Sequence, residues 1–323
     1  MLMENIKKIL KKQHYALVGN NSAVQICRWT KKSLLDEGEC YKSRFYGIKS
    51  YSCCEMSPAS VFCDNKCIHC WRAIENTQGH RMPLGVDKPK DIIEECIKGR
   101  KKLLSGFKGN PKVNMNKWKK SQGPLHFAIS LIGEPTLYPL LAEFVLELRK
   151  QGKTTFIVTN GLHPEKLLEL KEKKALPTQL YISLNSPNKK MYEEWHKSIL
   201  KDAWKRFNKS LSVMKKLNGK TRTVIRMTLV KDKNMCCERE YAKLILKASP
   251  DFIEVKAFMS VGYSRKRLGY ERMPSHSEIK EFAYRLIEYL EKEGYKFLDE
   301  KKESRVVLIG KSKKKMKIKP NEI

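Results

Sequence analysis

Three cysteines stand close together in the segment FCDNKCIHCW. Cys63, Cys67 and Cys70 have the spacing C-x3-C-x2-C, which allows a single loop to bring three thiolates to one metal centre. A structural zinc ion usually takes a fourth ligand from a second CxxC pair, and no such pair follows this segment. Three thiolates suit a [4Fe–4S] cluster in which one iron stays open for another ligand. The spacing therefore predicts an iron–sulfur site.

The segments around this loop alternate between strand-like and helix-like patterns, which is typical of parallel βαβ units. Six repeats predict a (β/α)6 partial TIM barrel, and a doubly wound open sheet is the alternative that periodicity leaves open. The expected strands are rich in β-branched and large apolar residues and cover 59–63, 126–132, 154–159, 179–184, 223–230 and 252–258. The expected helices cover 89–104, 137–151, 164–173, 201–217 and 239–247.

Two flanks depart from this repeat and suggest extensions on one catalytic core. Residues 1–57 hold four cysteines and little regular pattern beyond a first helix. Residues 261–323 add a helix at 275–293, a short strand at 306–309 and a basic tail, KSKKKMKIKP. We therefore expect an N-terminal extension (1–57), a core (58–260) and a C-terminal extension (261–323).

The cysteine motif in its strand context resembles the radical S-adenosylmethionine superfamily. The resemblance implies that the amino and carboxylate groups of S-adenosylmethionine chelate the open iron. One electron from the cluster would then cleave the sulfonium bond and leave methionine and a 5′-deoxyadenosyl radical. In that superfamily an aromatic residue usually precedes the last cysteine and packs near the adenine. His69 has this position here, and its ring can stack in a similar way.

A glycine–glutamate pair follows the second expected strand, in the segment SLIGEP. Gly133 and Glu134 resemble the superfamily motif that receives the methionine ammonium, for which a carboxylate and a backbone carbonyl are suitable partners. The alternative is a plain β-turn before Pro135. Functional loops of such barrels follow the carboxyl ends of the strands, so the position agrees with the first interpretation.

Polar residues also follow or lie within the next three strands. Asn160, Ser183 and Asn185 carry short hydroxyl and amide groups that can bond the cofactor ribose or carboxylate. Asn-Gly and Asn-Ser-Pro are also ordinary turn sequences. Arg226, inside the fifth strand, is a candidate partner for a carboxylate, with a buried structural salt bridge as the alternative. We expect these four residues to be cofactor-binding.

A second set of cysteines precedes the first motif. Cys27, Cys40 and Cys53 are separated by twelve residues at each step, and buried apolar cysteines or a zinc site completed by Cys54 are the simplest interpretations. Three local sequences resemble those of the tRNA 4-demethylwyosine synthases: C-Y-K at Cys40, C-C-E-M-S-P at Cys53 and V-K-A-F-M-S-V-G-Y-S at 255–264. This resemblance covers nearly the whole chain.

The family resemblance implies a second [4Fe–4S] cluster on these cysteines, with an open iron that engages pyruvate as co-substrate. It implies that Lys42 forms a Schiff base with the pyruvate carbonyl, chemistry that a lysine amine can perform. The adenosyl radical would take a hydrogen from the methyl group of N1-methylguanosine beside the anticodon of tRNA-Phe. Addition of that carbon to pyruvate, loss of the carboxyl group and ring closure would give tricyclic 4-demethylwyosine.

The charge of the chain agrees with a nucleic-acid partner. Lys and Arg total 66 against 35 Asp and Glu, a formal net charge of +31. Between Glu95 and Glu134 there is no acidic residue, and Phe107 and Trp118 interleave with the bases. We expect 105–123 to form a long loop over the barrel mouth that binds RNA, with a solvated insertion as the alternative. The tail at 311–319 would be a flexible basic arm.

The remaining expectations concern location and partners. Residues 1–17 show no signal peptide and no segment is apolar enough to span a bilayer, so we expect a cytosolic monomer without membrane contact. Some family members carry a flavodoxin-like domain that this sequence lacks, so the electron donor would be an external one-electron carrier such as a flavodoxin or ferredoxin. Rival functions are a radical enzyme for RNA methylthiolation or methylation, and a non-catalytic zinc-containing RNA-binding protein. No role is assigned to Cys54, Cys96, Cys236 and Cys237.

Overall fold

A single sheet is the frame of the protein. The structure, a computed structural model, describes residues 4–83 and 85–323; residues 1–3, where the expected N-terminal extension begins, lie outside this part. The described strands are β1 (Ala16–Val18), β2 (Ser22–Gln25), β3 (Cys53–Ser57), β4 (His126–Ile129), β5 (Thr154–Thr159), β6 (Gln179–Ser183), β7 (Arg222–Leu229), β8 (Phe252–Ala257), β9 (Lys296–Lys301) and β10 (Val306–Gly310).

Six neighbouring strands, β3 to β8, are parallel and stand in chain order. A doubly wound sheet would reverse its strand order at a switch point, so that alternative is wrong. The (β/α)6 partial barrel is confirmed. The β1–β2 hairpin continues the sheet antiparallel at one edge, and β10 with β9 continues it at the other.

Helices connect the strands and cover the outside of the barrel. The described helices are α1 (Glu4–Lys12), α2 (Arg28–Leu34), α3 (Tyr41–Tyr46), α4 (Pro89–Leu104), α5 (Met115–Ser121), α6 (Leu141–Lys150), α7 (Pro164–Glu172), α8 (Lys189–His196), α9 (Ala203–Lys216), α10 (Glu238–Ala248), α11 (Ser264–Leu268) and α12 (His276–Glu288). Among the described helices, none is long and apolar enough to cross a membrane.

The pleat of the strands decides which side chains reach the barrel interior. Cys54 and Met56 of β3 pack in the large apolar core together with residues of α4, α6, α7, α9 and α10. Because successive side chains of a strand point to opposite faces, Cys53 and Glu55 point into the barrel. A second apolar cluster, which includes Phe45, Tyr46 and Phe252, joins α3 to the strands inside the barrel.

The prediction of a first strand at 59–63 is wrong. The strand is Cys53–Ser57, and the chain then leaves the sheet as an irregular buried loop. Pro58 lacks a backbone donor, and the Phe62 amide donates to the Ala59 carbonyl in a tight turn (3.1 Å). The loop is apolar and buried but makes no strand-to-strand hydrogen bonds. Because its composition is that of a buried strand, composition alone suggested one. The other five strands differ from expectation only at their ends.

The expectation of a long loop at 105–123 is also wrong. This segment forms a 3-10 turn (Ser105–Gly109) and α5, and it leads into the start of β4. Connections from a helix to the next strand lie at the amino edge of a parallel sheet, which is the edge opposite the expected functional loops. Arg100, which belongs to the basic region between Glu95 and Glu134, is fully buried and donates to the carbonyls of Cys53 (3.0 Å) and Tyr51 (2.7 Å).

The C-terminal tail is not a flexible arm. Met316 is buried and Ile318 packs against the interior cluster of α3. The Ile318 amide donates to the Tyr46 carbonyl at 3.1 Å, and Lys317 Nζ donates to the Arg44 carbonyl. The alternating apolar residues of KSKKKMKIKP therefore close the amino end of the barrel, and its lysines line the surface there.

Candidate active site

The first cysteine triad (Cys63, Cys67 and Cys70) lies on the loop after β3, at the carboxyl edge of the sheet. Cys63 is buried, and Cys67 and Cys70 are half-buried. Burial raises the pKa of the Cys63 thiol to about 11 and that of Cys67 well above its usual value. Without a cation, buried thiols stay protonated, so the thiolates require a compensating positive charge.

A [4Fe–4S] cluster fits this donor set. Across residues 4–83 and 85–323, no three His, Cys, Asp or Glu side chains converge on a point that a single metal ion would occupy. Each thiolate of a cubane cluster ligates a different iron, so its ligands need not converge in that way. Buried Arg72 lies beside the triad; burial alone would lower its pKa, but Cys63 and Cys70 raise it. This cation offsets the negative charge that thiolates bring to the cluster.

A second arginine holds the cysteine loop from the C-terminal extension. Arg267 of α11 donates through Nε to the Ile68 carbonyl (3.0 Å) and through Nη2 to the carbonyls of Cys70 and Arg72. These bonds fix the backbone on both sides of the last cysteine. Sequence reasoning missed both arginines, and the only signal for Arg72 was its position two residues after Cys70.

Gly133 allows the loop after β4 to lie directly on the cysteine loop. Its φ is +72°, and a Cβ atom there would collide with the Ala59 carbonyl. The neighbouring Glu134 amide donates to the Phe62 carbonyl at 2.8 Å. Both the backbone conformation and the close approach require glycine here. Gly133 is therefore a tight junction next to the first triad, more than the plain turn that was the alternative.

Glu134 joins the loops after β4 and β5. It is buried, and its Oε1 accepts from the Thr136 hydroxyl (2.6 Å), the Thr136 amide (3.1 Å) and the Thr159 hydroxyl (2.7 Å). Oε2 accepts from the Asn160 amide at 2.8 Å. Burial raises the pKa of this carboxyl group, and the hydrogen bonds oppose that rise. Since a carboxylate has about four acceptor positions, the remaining capacity for a ligand ammonium lies on Oε2.

Asn160 faces the same region with a free donor. Its Oδ1 accepts from the Leu162 amide (2.9 Å), while its buried Nδ2 has no partner among the described residues. An unpaired buried amide donor costs free energy unless a ligand satisfies it. Asn160 therefore remains a candidate for a cofactor contact.

Asn185 remains a candidate for a cofactor contact, and its side-chain amide already has two protein partners. Oδ1 accepts from the Thr228 amide (2.8 Å) and Nδ2 lies 3.3 Å from His69 Nε2. His69 also stacks on Trp195, with ring centroids 5.5 Å apart, and burial lowers its pKa to about 4. Asn185 thus orients the neutral His69 ring beside Cys70. Ser183 is half-buried beside Arg226 in the β6–β7 register.

The second cysteine triad (Cys27, Cys40 and Cys53) lies toward the amino edge of the sheet. Cys27 precedes α2, Cys40 precedes α3 and Cys53 begins β3. Burial raises the pKa of Cys40 to about 12 and that of Cys53 well above its usual value, and Cys27 adds to both shifts. The three thiols therefore lie within electrostatic reach of one another, with a donor set that suits a second cluster.

Lys42 points into the barrel from the first turn of α3. The residue is 8% exposed, and its Nζ lies 5.0 Å from the ring centroids of both Phe156 and Tyr181. Its charge acts on the thiols of Cys40 and Cys53, whose pKa values it lowers against the larger effect of burial. A buried lysine amine beside thiol ligands is arranged for chemistry rather than for solvation.

Glu254 of β8 fixes the helix that carries Lys42. Its Oε2 accepts from the Tyr41 hydroxyl (2.9 Å) and its Oε1 from the Tyr46 hydroxyl (2.7 Å). Glu254 is fully buried, so both tyrosines contact it away from solvent. The two bonds span α3 from its first to its last residue and set the direction in which Lys42 points.

Further charges line the barrel interior near Lys42. Arg226 is half-buried; Tyr41 first and then Glu254 raise its pKa, and its Nε has no acceptor among the described residues. Burial raises the pKa of the Glu55 carboxyl group, and Lys42 and Arg226 oppose that rise. Burial lowers the pKa of Lys256 to about 8, and its Nζ donates to the Ser304 carbonyl (2.7 Å). Sequence reasoning missed Glu55, Glu254 and Lys256. All three lie within or next to the segments at Cys53 and at 255–264 that resemble the family.

The four unassigned cysteines stay outside this site. Cys54 and Cys96 belong to the apolar core. Cys236 and Cys237 are adjacent at the start of α10, with sulfur atoms 3.2 Å apart. The structure gives them no contact with either triad among the hydrogen bonds of the described residues.

Two family models and several known proteins match the chain. A family model described as "Radical SAM superfamily" matches residues 57–245, and one described as "Wyosine base formation" matches residues 247–311. The chain is 48% identical over 306 residues to an S-adenosyl-L-methionine-dependent tRNA 4-demethylwyosine synthase of Pyrococcus horikoshii, covering 95% of this chain and 88% of that protein. The Methanocaldococcus jannaschii protein of the same name is 36% identical over 327 residues, covering 98% and 99%. A solved structure of TYW1 with a lysine-pyruvate adduct bound matches with a TM-score of 0.85 and 34% identity over 99% of each chain.

Proposed function

Since the chain belongs to the S-adenosyl-L-methionine-dependent tRNA 4-demethylwyosine synthases, we propose that it converts N1-methylguanosine beside the anticodon of tRNA-Phe, with pyruvate, to 4-demethylwyosine. The chain is a radical S-adenosylmethionine enzyme of the wyosine pathway. The observation that carries the finer assignment is the buried amine of Lys42 inside a barrel with one cysteine triad toward each end.

The first cysteine triad holds a [4Fe–4S] cluster, and when bound this group and S-adenosylmethionine supply a 5′-deoxyadenosyl radical. The chain's own residues organise the pocket around it. Asn160 offers its free Nδ2 donor, Glu134 keeps one carboxylate position for the methionine ammonium, and His69 presents a neutral ring for the adenine. Gly133 contributes by letting its loop contact the cysteine loop.

The second cysteine triad holds a second cluster, which makes two clusters per chain. Lys42 Nζ adds to the pyruvate carbonyl, and loss of water gives a Schiff base. The rings of Phe156 and Tyr181 limit the access of water to this adduct. The lysine-pyruvate adduct in the related TYW1 structure supports this role.

Arg226 and Ser183 complete the anion-binding part of the interior. Among the described residues the Nε donor of Arg226 has no hydrogen-bond acceptor, so it is available to the carboxylate of a ligand. Arginine suits a carboxylate because its planar fork donates two parallel hydrogen bonds. Either co-substrate carries such a group, and Arg226 orients whichever carboxylate reaches the barrel interior.

The tRNA approaches the carboxyl edge of the sheet, where α11 lies against the cysteine loop. Tyr270 is 60% exposed there, and Arg265 lies 5.6 Å over its ring. Lys266 lies 5.8 Å over the ring of Tyr263. Basic side chains at the surface suit contacts with phosphate groups, and the aromatic rings beside them suit stacking of nucleobases from a single-stranded loop. The segment at 105–123 lies at the other edge and takes no part in placing the reacting base.

The remaining assignments belong to the same proposal. Residues 1–57 supply ligands of the second cluster, 58–260 form the radical core and 261–323 support the tRNA face. An enzyme that acts on tRNA would work in the cytosol, here as a monomer with an external flavodoxin or ferredoxin as donor.

Incubation with pyruvate labelled at C2 or C3, the carbons that remain after loss of the carboxyl group, tests the proposed reaction. Anaerobic, iron-loaded protein would receive dithionite, S-adenosylmethionine and tRNA that carries N1-methylguanosine. Label should enter the modified base. A methylthiolated or methylated base without label would support the rival radical reactions, and colourless protein loaded with zinc would support the RNA-binding alternative.

Replacement of Lys42 tests its role within that reaction. Lys42→Arg keeps the buried charge but cannot form a Schiff base, so base formation should fall at least about a hundredfold. S-Adenosylmethionine cleavage by dithionite-reduced protein should persist. Mass spectrometry of the intact protein after pyruvate and cyanoborohydride should show the reduced adduct on the native chain alone. An adduct of equal yield on the variant would assign the chemistry to another lysine, with Lys256 as the next candidate.

A further inference from the structure

A basic cavity opens at the amino end of the barrel, away from the cysteine loop. Its volume is about 710 Å³, and residues immediately before or at the start of β6, β7 and β8 form its floor, among them Arg222 and Phe252. The candidate cofactor groups follow the opposite ends of these strands. A five-residue strand such as β6 is about 17 Å long, so the barrel separates the two regions.

Positive charge dominates this cavity. Eight of its seventeen lining residues are basic and two are acidic. Both acids are engaged, Asp251 with Lys315 (3.7 Å) and Glu322 with Arg222 (3.2 Å). In the part of the chain that the structure describes, the lining cations Lys171, Lys174 and Lys220 have no carboxylate within 4 Å. The cavity therefore presents uncompensated positive charge to a partner with negative charge.

The cavity floor is close to the second cysteine triad. The ring of Phe252 contacts Tyr46, with centroids 5.8 Å apart. Tyr46 contacts Phe45 (6.0 Å), and Phe45 contacts Tyr41 (5.6 Å), which follows Cys40 directly in the chain. α3, which carries these three rings, has six residues and a length of about 9 Å. A continuous set of aromatic contacts thus joins the cavity to the second triad.

We propose that this cavity is the docking site of an acidic one-electron carrier protein, which reduces the enzyme from the amino end of the barrel. The inference rests on the proposed function, because reductive cleavage of S-adenosylmethionine needs one electron from a reductant. The docked carrier would be oxidised by one electron; the second triad would hold the centre that receives this electron, and the first triad the centre at which cleavage of S-adenosylmethionine consumes it. Complementary charge would steer the carrier and set the encounter rate.

The position of the cavity favours a carrier protein over tRNA. The target base must reach the carboxyl edge, where the cofactor groups lie, so a tRNA bound at the amino end would be on the wrong side of the barrel. A carrier needs only proximity to a cluster site, and the aromatic contacts provide it. Binding of tRNA in the cavity is therefore the competing outcome of the test.

Charge reversal in the cavity tests the docking site. Lys174→Glu/Lys220→Glu changes two exposed cations without touching either triad. Fluorescence anisotropy of an oxidised flavodoxin should show a Kd about tenfold higher for the anaerobically purified variant than for the native chain. Added salt should reduce this difference between the two proteins. The KM for reduced flavodoxin should rise by a similar factor. Dithionite-driven cleavage of S-adenosylmethionine and the Kd for tRNA should be unchanged.

A matched control places the same charge change at the other edge. Lys189→Glu/Lys190→Glu in α8 alters two exposed lysines at the carboxyl side and should leave flavodoxin affinity unchanged. An unchanged flavodoxin Kd in the cavity variant would overturn the docking site, and a weakened tRNA Kd in that variant would assign the cavity to RNA. Failure of the native protein to cleave S-adenosylmethionine with dithionite would instead contradict the proposed function.

Discussion

Charged side chains inside the barrel are concentrated where the reaction would occur. Lys42, Glu55, Arg226 and Lys256 are buried or half-buried, and burial of unpaired charge is costly in a protein interior. Two of them show that cost directly, since burial raises the pKa of Glu55 and lowers that of Lys256 to about 8. A fold that bears this cost retains the groups for a ligand that brings charge of its own.

The junction at Gly133 gives a stability prediction. Gly133→Ala combines positive φ with a collision against the Ala59 carbonyl. We therefore expect the free energy of unfolding to fall by about 1–3 kcal/mol and the iron content after reconstitution to be lower. Gly152→Ala is the matched control, because its φ is +65° but no atom lies within 4 Å of the added Cβ. Chemical denaturation and iron analysis check both variants. Equal effects would show that the contact with the cysteine loop is unimportant.

The ion pair between His163 and Asp64 gives a pH prediction. His163 Nε2 lies 2.9 Å from Asp64 Oδ2, one residue after Cys63. Burial alone would lower the pKa of His163, but Asp64 raises it above 6.5. A raised pKa means that the stabilisation is complete below about pH 6.5 and is lost as pH rises through the folded value.

Hydrogen exchange of the amides at 63–70 measures this loss. After correction for intrinsic rates, exchange in the native chain should accelerate as the pH rises above the folded pKa of His163. His163→Gln should exchange faster at low pH and show no such step. If the corrected exchange rates of the native chain do not change with pH, the proposed role of the His163–Asp64 pair is contradicted.

At the scale of elements, α3 is the part that positions Lys42. Glu254→Leu would leave the hydroxyls of Tyr41 and Tyr46 buried without acceptors, at a cost of about 1–3 kcal/mol each. The yield of the reduced pyruvate adduct should fall more than the rate of S-adenosylmethionine cleavage. Tyr46→Phe removes one bond only and should have a smaller effect on both. A variant with lower stability and normal adduct yield would make Glu254 purely structural.

The elements also show what a sequence predicts and what it does not. Spacing predicted the first triad, and the alternation of segments predicted five of the six parallel strands, because buried parallel strands are apolar throughout. It misplaced the first strand since the loop at 59–63 is equally apolar, and it missed the helix at 115–121 within a lysine-rich segment. The pairing of Arg226 with Glu254 across β7 and β8 depends on strand register, which local patterns do not encode.

At the scale of the molecule, both extensions complete the barrel. The N-terminal extension brings Cys27, Cys40 and Lys42 to the amino end, and the C-terminal extension closes that end with its tail. At the other end, Arg267 of α11 ties the cysteine loop to the C-terminal extension. The proposed radical site and the proposed pyruvate site are thus supported by different parts of the chain around one interior.

Iron content of three anaerobically purified proteins tests this arrangement most directly. The account predicts about eight irons for the native chain and about four for each of Cys63→Ala and Cys27→Ala, with Mössbauer spectra of [4Fe–4S] clusters in all three. Cleavage of S-adenosylmethionine should disappear in Cys63→Ala and persist in Cys27→Ala. Four irons in the native chain, or full iron retention in Cys27→Ala, would contradict two separate cluster sites.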